Sequence, residues 1–201
     1  MVIIFPRVIV ITGTPSVGKT TVSKALTEKL GGLYINLNDI VKEENLVLSV
    51  DSERGTTVAD LDKLRDRVNK LVCATSLDVI VEGHYAAIVV PPNLVSYSFV
   101  LRMEPYKLEE MLRARGYTER KVLENIASEI LDICLVDALR EYGLERVDEV
   151  DVTNMRIEDV VEEILKVLGG NRKCKAGVVN WLEKLDEKGK LEYWLVRLNK
   201  I

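Results

Sequence analysis

The chain has 201 residues, is 47% hydrophobic and 30% charged, and carries a formal net charge of −4. A chain this long buries ~70% of its unfolded surface, so one full core with room for a small appendage is expected. The apolar fraction, with 12 Gly and 5 Pro, excludes disordered and collagen-like classes. No apolar run reaches the ~18 residues of a membrane helix. The acidic balance argues against an electrostatic nucleic-acid binder. Neither a membrane nor a direct nucleic-acid partner is therefore expected. Met1–Ile11 is apolar, but Pro6 and Arg7 interrupt it and no small-residue cleavage site follows, so it reads as mature structure. Cys73, Cys134 and Cys174 are too few and too scattered for a disulfide framework or a zinc site. They are expected as thiols of a reducing cytoplasm. His84 is the only histidine, which excludes a multi-histidine metal site within one chain; the chain is expected as a monomer.

The first predicted element is the β-branched run Val8–Ile11, a strand buried on both faces. Lys19–Leu30 follows as a helix, with Val22, Leu26 and Leu30 on one face and Gly31 at the C-cap position. Leu33–Ile35 is a short strand. Asn38–Leu48 reads as a helical piece and then a loop. Thr57 is a candidate cap for a helix whose apolar positions Val58, Leu61, Leu64, Val68, Leu71 and Val72 keep a 3.6-residue period, with Asp60 at N3. Val79–Val81 and Tyr97–Leu101 are strands. Pro105–Arg115 is a helix ended by Gly116, and Thr118–Tyr142 reads as one long helix. Val147–Val152 is a last strand and Ile157–Leu168 a helix. Five strands alternating with helices predict an α/β fold with a five-stranded parallel sheet and right-handed crossovers. Residues 169–173 read as a linker. Val178–Lys184 and Lys190–Leu198, carrying Trp181 and Trp194, form either a helical hairpin packed on the main domain or a partner-docking tail.

Gly13-Thr14-Pro15-Ser16-Val17-Gly18-Lys19-Thr20 matches G-x-x-x-x-G-K-[ST] at every fixed position, between a buried strand and an amphipathic helix. Its glycines let the backbone approach phosphate, and successive N–H groups at the helix N-terminus then point at it. Lys19 reaches the β- and γ-phosphates, and Thr20 offers its hydroxyl to Mg²⁺. Such a loop needs a carboxylate at the end of a neighbouring strand. Glu82 follows Val79–Val81 directly, whereas Asp78 lies at the opposite end of that strand. His84, two residues on, is placed to face the nucleotide and orient water or a phosphate.

A GTPase would carry an N-K-x-D motif; Asn69-Lys70-Leu71-Val72 lacks the aspartate. A motor would need a longer core. Small nucleoside or metabolite kinases remain. Their acceptor insert is matched by Asn36–Glu44, and their arginine-bearing lid by Arg113–Lys121, where cations cluster around Gly116.

With these residues in place, the chain resembles the adenylate-kinase-isoenzyme-6-like family of small P-loop nucleoside monophosphate kinases, in its archaeal form. The resemblance spans about residues 7–168. It rests on the Gly13–Thr21 loop, Tyr34-Ile35-Asn36 with Asp39 and Lys42-Glu43-Glu44, Glu82-Gly83-His84, Leu101-Arg102, Arg115-Gly116-Tyr117, Asn125-Ile126 and Glu129-Ile130. It implies a kinase domain over 1–168, with an acceptor-binding insert at about 36–59 and a lid at about 114–124, followed by a tail over 169–201. It also implies transfer of the ATP γ-phosphoryl to AMP with Mg²⁺, together with ATP hydrolysis. The alternative is an ATPase switch in small ribosomal subunit maturation, acting through a ribosomal protein of that subunit. On this resemblance Ser16, Gly18, Lys19, Thr20, Thr21, Arg115 and Arg156 bind ATP. Asn36, Asp39 and Lys42 bind the acceptor, Thr20 and Glu82 hold the metal, and Lys19, Arg115 and His84 act in catalysis. Ser16 replaces a frequent Gly, Glu82 an Asp of eukaryotic members and Lys42 an Arg. A kinase of a sugar or shikimate-like acid is a further rival, without identifiable acceptor-specific groups.

Overall fold

The computed structural model describes residues 6–51 and 56–199; the apolar stretch 1–5 and residues 52–55 of the expected insert lie outside them. In chain order the elements are β1 (Val8–Thr12), α1 (Lys19–Leu30), β2 (Leu33–Asn36), α2 (Leu37–Glu43), β3 (Val47–Asp51), β4 (Thr56–Ala59), α3 (Leu61–Cys73) and β5 (Val79–Glu82). Then come α4 (Ala86–Val89), β6 (Val95–Arg102), α5 (Pro105–Ala114), α6 (Glu119–Ile130), α7 (Ile133–Tyr142), β7 (Val147–Asp151), α8 (Ile157–Leu168), α9 (Trp181–Glu187) and α10 (Leu191–Leu198).

Five strands form one parallel sheet in the order β2-β5-β1-β6-β7. Strand β1 is buried along its whole length, as its β-branched run requires. Its alternation splits the core between the two faces of the sheet. Ile9 and Ile11 face α1, α5, α6 and α8. Val8 and Val10 face α3, α4 and α7. The chain leaves β1 toward β2 on one side and later crosses to β6 on the other. The crevice at the carboxyl ends of these strands is where such sheets bind ligands. Registers place Ile11, Glu82 and Asn36 side by side at that end.

Three expectations are corrected. Thr57 does not cap a helix: Thr57 and Val58 lie in β4, which pairs antiparallel with β3 where a loop was expected. Asp60 caps α3 instead, its Oδ1 accepting from the Lys63 amide at 3.1 Å, because a short acceptor immediately before the periodic run satisfies the helix's free amides. The helix expected over Thr118–Tyr142 breaks at Asp132, whose φ is +56°. There the Arg102 guanidinium bonds the Asp132 carboxylate and, at 2.8 Å, the Glu129 carbonyl, which an unbroken helix would give wholly to its own backbone. The segment 169–173 is no free linker, since Arg172 holds the fully buried Asp148 with two hydrogen bonds of 2.8 and 2.7 Å.

Beyond it the chain follows the sheet edge, the Glu149 amide donating to the Lys175 carbonyl at 2.8 Å. Trp181 and Trp194 then enter the same core as α5 and α6. All three cysteines are free. Among the described residues no helix is long and apolar enough to cross a membrane.

Candidate active site

The loop after β1 takes its shape from three residues with positive φ: Gly13 (+134°), Ser16 (+76°) and Gly18 (+93°). At Gly13 a Cβ would stand 2.4 Å from the Leu101 carbonyl oxygen, so only glycine lets the loop rest on the end of β6. Ser16 occupies a left-handed conformation that favours glycine, and its buried hydroxyl has no partner among the described residues. Gly18 caps α1 without a side-chain acceptor. The first amides of α1 are therefore left for an anion, at the positive end of the helix dipole. Lys19 folds over the loop and donates to the carbonyls of Gly13 and Thr14 at 2.8 and 2.9 Å. Burial lowers its pKa from 10.5 to about 8; Arg115 adds to this, while Cys134, Glu82 and Glu129 oppose it.

Glu82 ends β5, nearly buried. Its Oε1 accepts from the Thr20 hydroxyl at 2.8 Å and from Asn36 Nδ2 at 2.5 Å, while Oε2 is buried with no partner among the described residues. An unsatisfied carboxylate oxygen beside a phosphate-loop hydroxyl is an oxygen donor set of the kind Mg²⁺ takes. Past Gly83 the chain turns. The His84 carbonyl accepts from Thr12 Oγ1 at 3.4 Å and weakly from Cys134 Sγ at 3.5 Å, which fixes its backbone. Its ring packs edge-on against Tyr85. Enclosure by the cleft, then the Lys19 charge, push the imidazole down to about 4 although the ring keeps solvent contact, so it is neutral near pH 7.

These groups open into one cleft of about 890 Å³. Its phosphate end has Ser16, Gly18, Lys19, Thr20, Thr21, Glu82, His84 and Arg115. Its other wall is built by α2 and by the β3–β4 hairpin, through Asn36, Asn38, Val41, Lys42, Val47 and Thr57–Ala59. Of the cations around Gly116, Arg113 is committed to Glu109 and Glu119, and Arg120 to Glu124. Arg115 is exposed into the cleft, with no ion pair among the described residues.

The structure thus brings together every expected site residue except two. Arg156 lies outside the cleft, its guanidinium bonding Asp159 at 2.8 and 2.9 Å in the first turn of α8. Asp39 is exposed on α2 and lines nothing here. Sequence reasoning missed the hairpin wall and Tyr85, and it quoted Glu129 without giving it a role; this buried carboxylate accepts from the Thr14 hydroxyl. The signal for Glu129 was present: with Val122, Ile126 and Ile130 it falls on the inward stripe of its helix, where a charge calls for a partner.

A parallel sheet with this loop after its central strand defines a P-loop nucleotide-binding protein. A family model described as "AAA domain" matches residues 9–132. A Pyrococcus abyssi protein named "Putative adenylate kinase" is 40% identical over 179 residues, covering 89% of this chain and 93% of its own. One of the same name from Methanocaldococcus jannaschii is 38% identical over 176 residues, 88% of this chain and 93% of its own. The chain belongs to this family, as the resemblance in its motifs implied. Among solved structures, a shikimate kinase from Bacteroides thetaiotaomicron has a TM-score of 0.58 at 22% identity, covering 81% of this chain and 98% of that one. A gluconokinase from Sinorhizobium meliloti has a TM-score of 0.54 at 19% identity, covering 83% and 94%. At such identities they share the P-loop kinase fold with this chain, and nothing more follows from them.

Proposed function

We propose that the protein is a nucleoside monophosphate kinase that transfers the γ-phosphoryl group of ATP to AMP. The observation that carries this reading is the single cleft with a phosphate loop at one end and a separate helix-and-hairpin wall at the other. Donor and acceptor phosphates then share one cavity, as in-line transfer requires. The archaeal relatives named as adenylate kinases point the same way.

In this reading the free amides of α1 and the loop cradle the ATP phosphates. Lys19 leaves its carbonyls for the β- and γ-oxygens, whose negative charge favours its protonated form. Arg115 places a second fixed cation against the transferring group when its turn closes on the cleft. Lys42 of α2 and Asn36 at the end of β2 orient the acceptor phosphate. Thr20 and Glu82 would hold Mg²⁺, with the unpartnered Glu82 oxygen turned to the ion or its water. When bound, Mg²⁺ neutralises charge developing on the phosphate oxygens. Thr20 and Glu82 are two oxygen donors, so phosphate oxygens and water would have to complete the shell of a bound ion. The attacking AMP oxygen forms the new bond to phosphorus as the bond to the ADP leaving oxygen breaks.

The test is nucleotide quantification by chromatography. ATP and AMP should disappear together, with two ADP formed per pair. Equimolar phosphate with AMP untouched would instead support the hydrolytic reading, in which the ATPase serves small-subunit maturation.

A further inference from the structure

The C-terminal segment reaches the phosphate loop through one carboxylate. Glu129 is 2% exposed and its side chain takes four hydrogen bonds. Oε1 accepts from Arg102 Nε at 2.8 Å, the Met103 amide at 3.1 Å and the Trp181 indole N–H at 2.9 Å. Oε2 accepts from the Thr14 hydroxyl alone, at 2.5 Å. Thr14 is 1% exposed and supplies one of the two carbonyls on which Lys19 rests. Burial works against the Arg102 charge, but Glu129 and Asp132 outweigh it and keep the guanidinium above its ordinary pKa. The tail is also tied to Arg102 through Glu149 of β7: Glu149 Oε1 accepts from Arg102 at 2.6 Å, and its Oε2 accepts from the Val178 and Val179 amides at 2.7 and 3.3 Å.

We propose that Glu129 is the positioning residue of the phosphate loop, and that Trp181 of the C-terminal segment is its anchor, so that the tail is part of the nucleotide site's scaffold. A charge-assisted hydrogen bond in a dry site is directional and strong. With three donors holding Oε1, the direction of Oε2 is set, and with it the Thr14 hydroxyl. Because Gly13 packs so closely on the end of β6 that a Cβ would stand 2.4 Å from the Leu101 carbonyl oxygen, fixing Thr14 restricts the peptide groups that precede the cradle. Trp181 contributes the third donor on Oε1, beside Arg102 and the Met103 amide, and so helps hold the carboxylate plane. The inference rests on the cleft binding nucleotide and not on the identity of the acceptor.

The experiment uses the full-length protein, with a fluorescent ATP analogue and Mg²⁺ as probe and thermal melting recorded alongside. Thr14→Val keeps the shape and deletes the hydroxyl; nucleotide affinity should fall about tenfold, the worth of a hydrogen bond to a charged group. Thr14→Ser should recover most of that loss. Trp181→Phe keeps a ring in the core, deletes the N–H, and should weaken binding by a smaller factor. Both act through the same oxygen-to-hydroxyl contact, so the double variant Thr14→Val/Trp181→Phe should bind no more weakly than Thr14→Val. Multiplying losses in the double variant would overturn the proposal. So would a Trp181→Phe protein that melts earlier yet binds nucleotide unchanged at 25 °C, which is what a purely structural tryptophan predicts. Failure of AMP to act as acceptor would leave these binding results untouched and would count only against the kinase reading.

Discussion

Replacing Lys19 by Met should abolish turnover and change how the stability of the nucleotide-free protein depends on pH. The site holds an ammonium whose pKa is lowered from 10.5 to about 8, chiefly by burial. Below about pH 8 the folded and unfolded chains both carry the proton, and the whole penalty of holding that charge falls on the folded state. At ~1.4 kcal/mol per pH unit the penalty is at most ~3.5 kcal/mol, and solvent contact of the half-buried side chain brings it nearer ~2. Deleting two ammonium hydrogen bonds to loop carbonyls costs about 1.5 kcal/mol each, which offsets that relief. Near pH 7 the two proteins should therefore lie within ~1 kcal/mol, or ~2–4 °C in Tm for a chain of this size. Between about pH 8 and 10.5 the unfolded chain keeps the proton that the folded one releases. Wild-type stability therefore rises with pH across that window, and the variant should lose ~2 kcal/mol relative to it. The assay is denaturant or thermal unfolding of both proteins without nucleotide from pH 7 to 10.5. A difference between the two that stays flat in pH would refute the reasoning.

Four further outcomes are expected. Glu82→Gln should raise the Mg²⁺ concentration needed for half-maximal activity about tenfold or more, with little effect on metal-free nucleotide binding, because the carboxylate charge is lost while the amide oxygen can still accept from Thr20 and Asn36; equal Mg²⁺ dependence would make Glu82 structural. Arg115→Ala should lower kcat by ~10²-fold or more with a small change in the KM for ATP, as steady-state kinetics would show. Loss of affinity with kcat intact would instead assign Arg115 to ground-state binding. His84→Ala should reduce phosphate release from ATP more than ADP formation from ATP plus AMP, since only hydrolysis needs an attacking water oriented. With no nucleotide bound, the imidazole, held to about 4, should show no titration between pH 6 and 8 by NMR. Ser16→Gly should raise Tm by a few degrees, because relieving a left-handed non-glycine residue is worth ~1 kcal/mol; an unchanged Tm would mean that the loop stores no strain there.

The phosphate loop was readable from sequence because its chemistry is carried by consecutive residues. Gly13, Gly18, Lys19 and Thr20 act through their own backbone and their own helix terminus. The same holds for β1, α1 and α8, whose alternation or 3.6-residue period is a local property matched by the fold. Glu82 was legible as the carboxylate at the end of a buried run, since the strand that carries it also aims it. What the tertiary structure alone decided involves partners far apart in the chain. Arg102 ends a helix 30 residues away by binding Asp132, a bond that local helix propensity cannot register. The β3–β4 pairing turned Thr57 from a helix cap into a cleft wall, because cross-strand partners outrank a cap one turn too early. Arg156 was drawn to Asp159 in its own helix rather than to the cleft. The contact between Thr14 and Glu129 spans 115 residues and reaches on to Trp181, so the tail's place in the site exists only once β6, α6 and the C-terminal segment have packed together. Short-range order follows from backbone sterics and residue period, whereas burial of a charge is decided by which distant donors the completed core delivers to it.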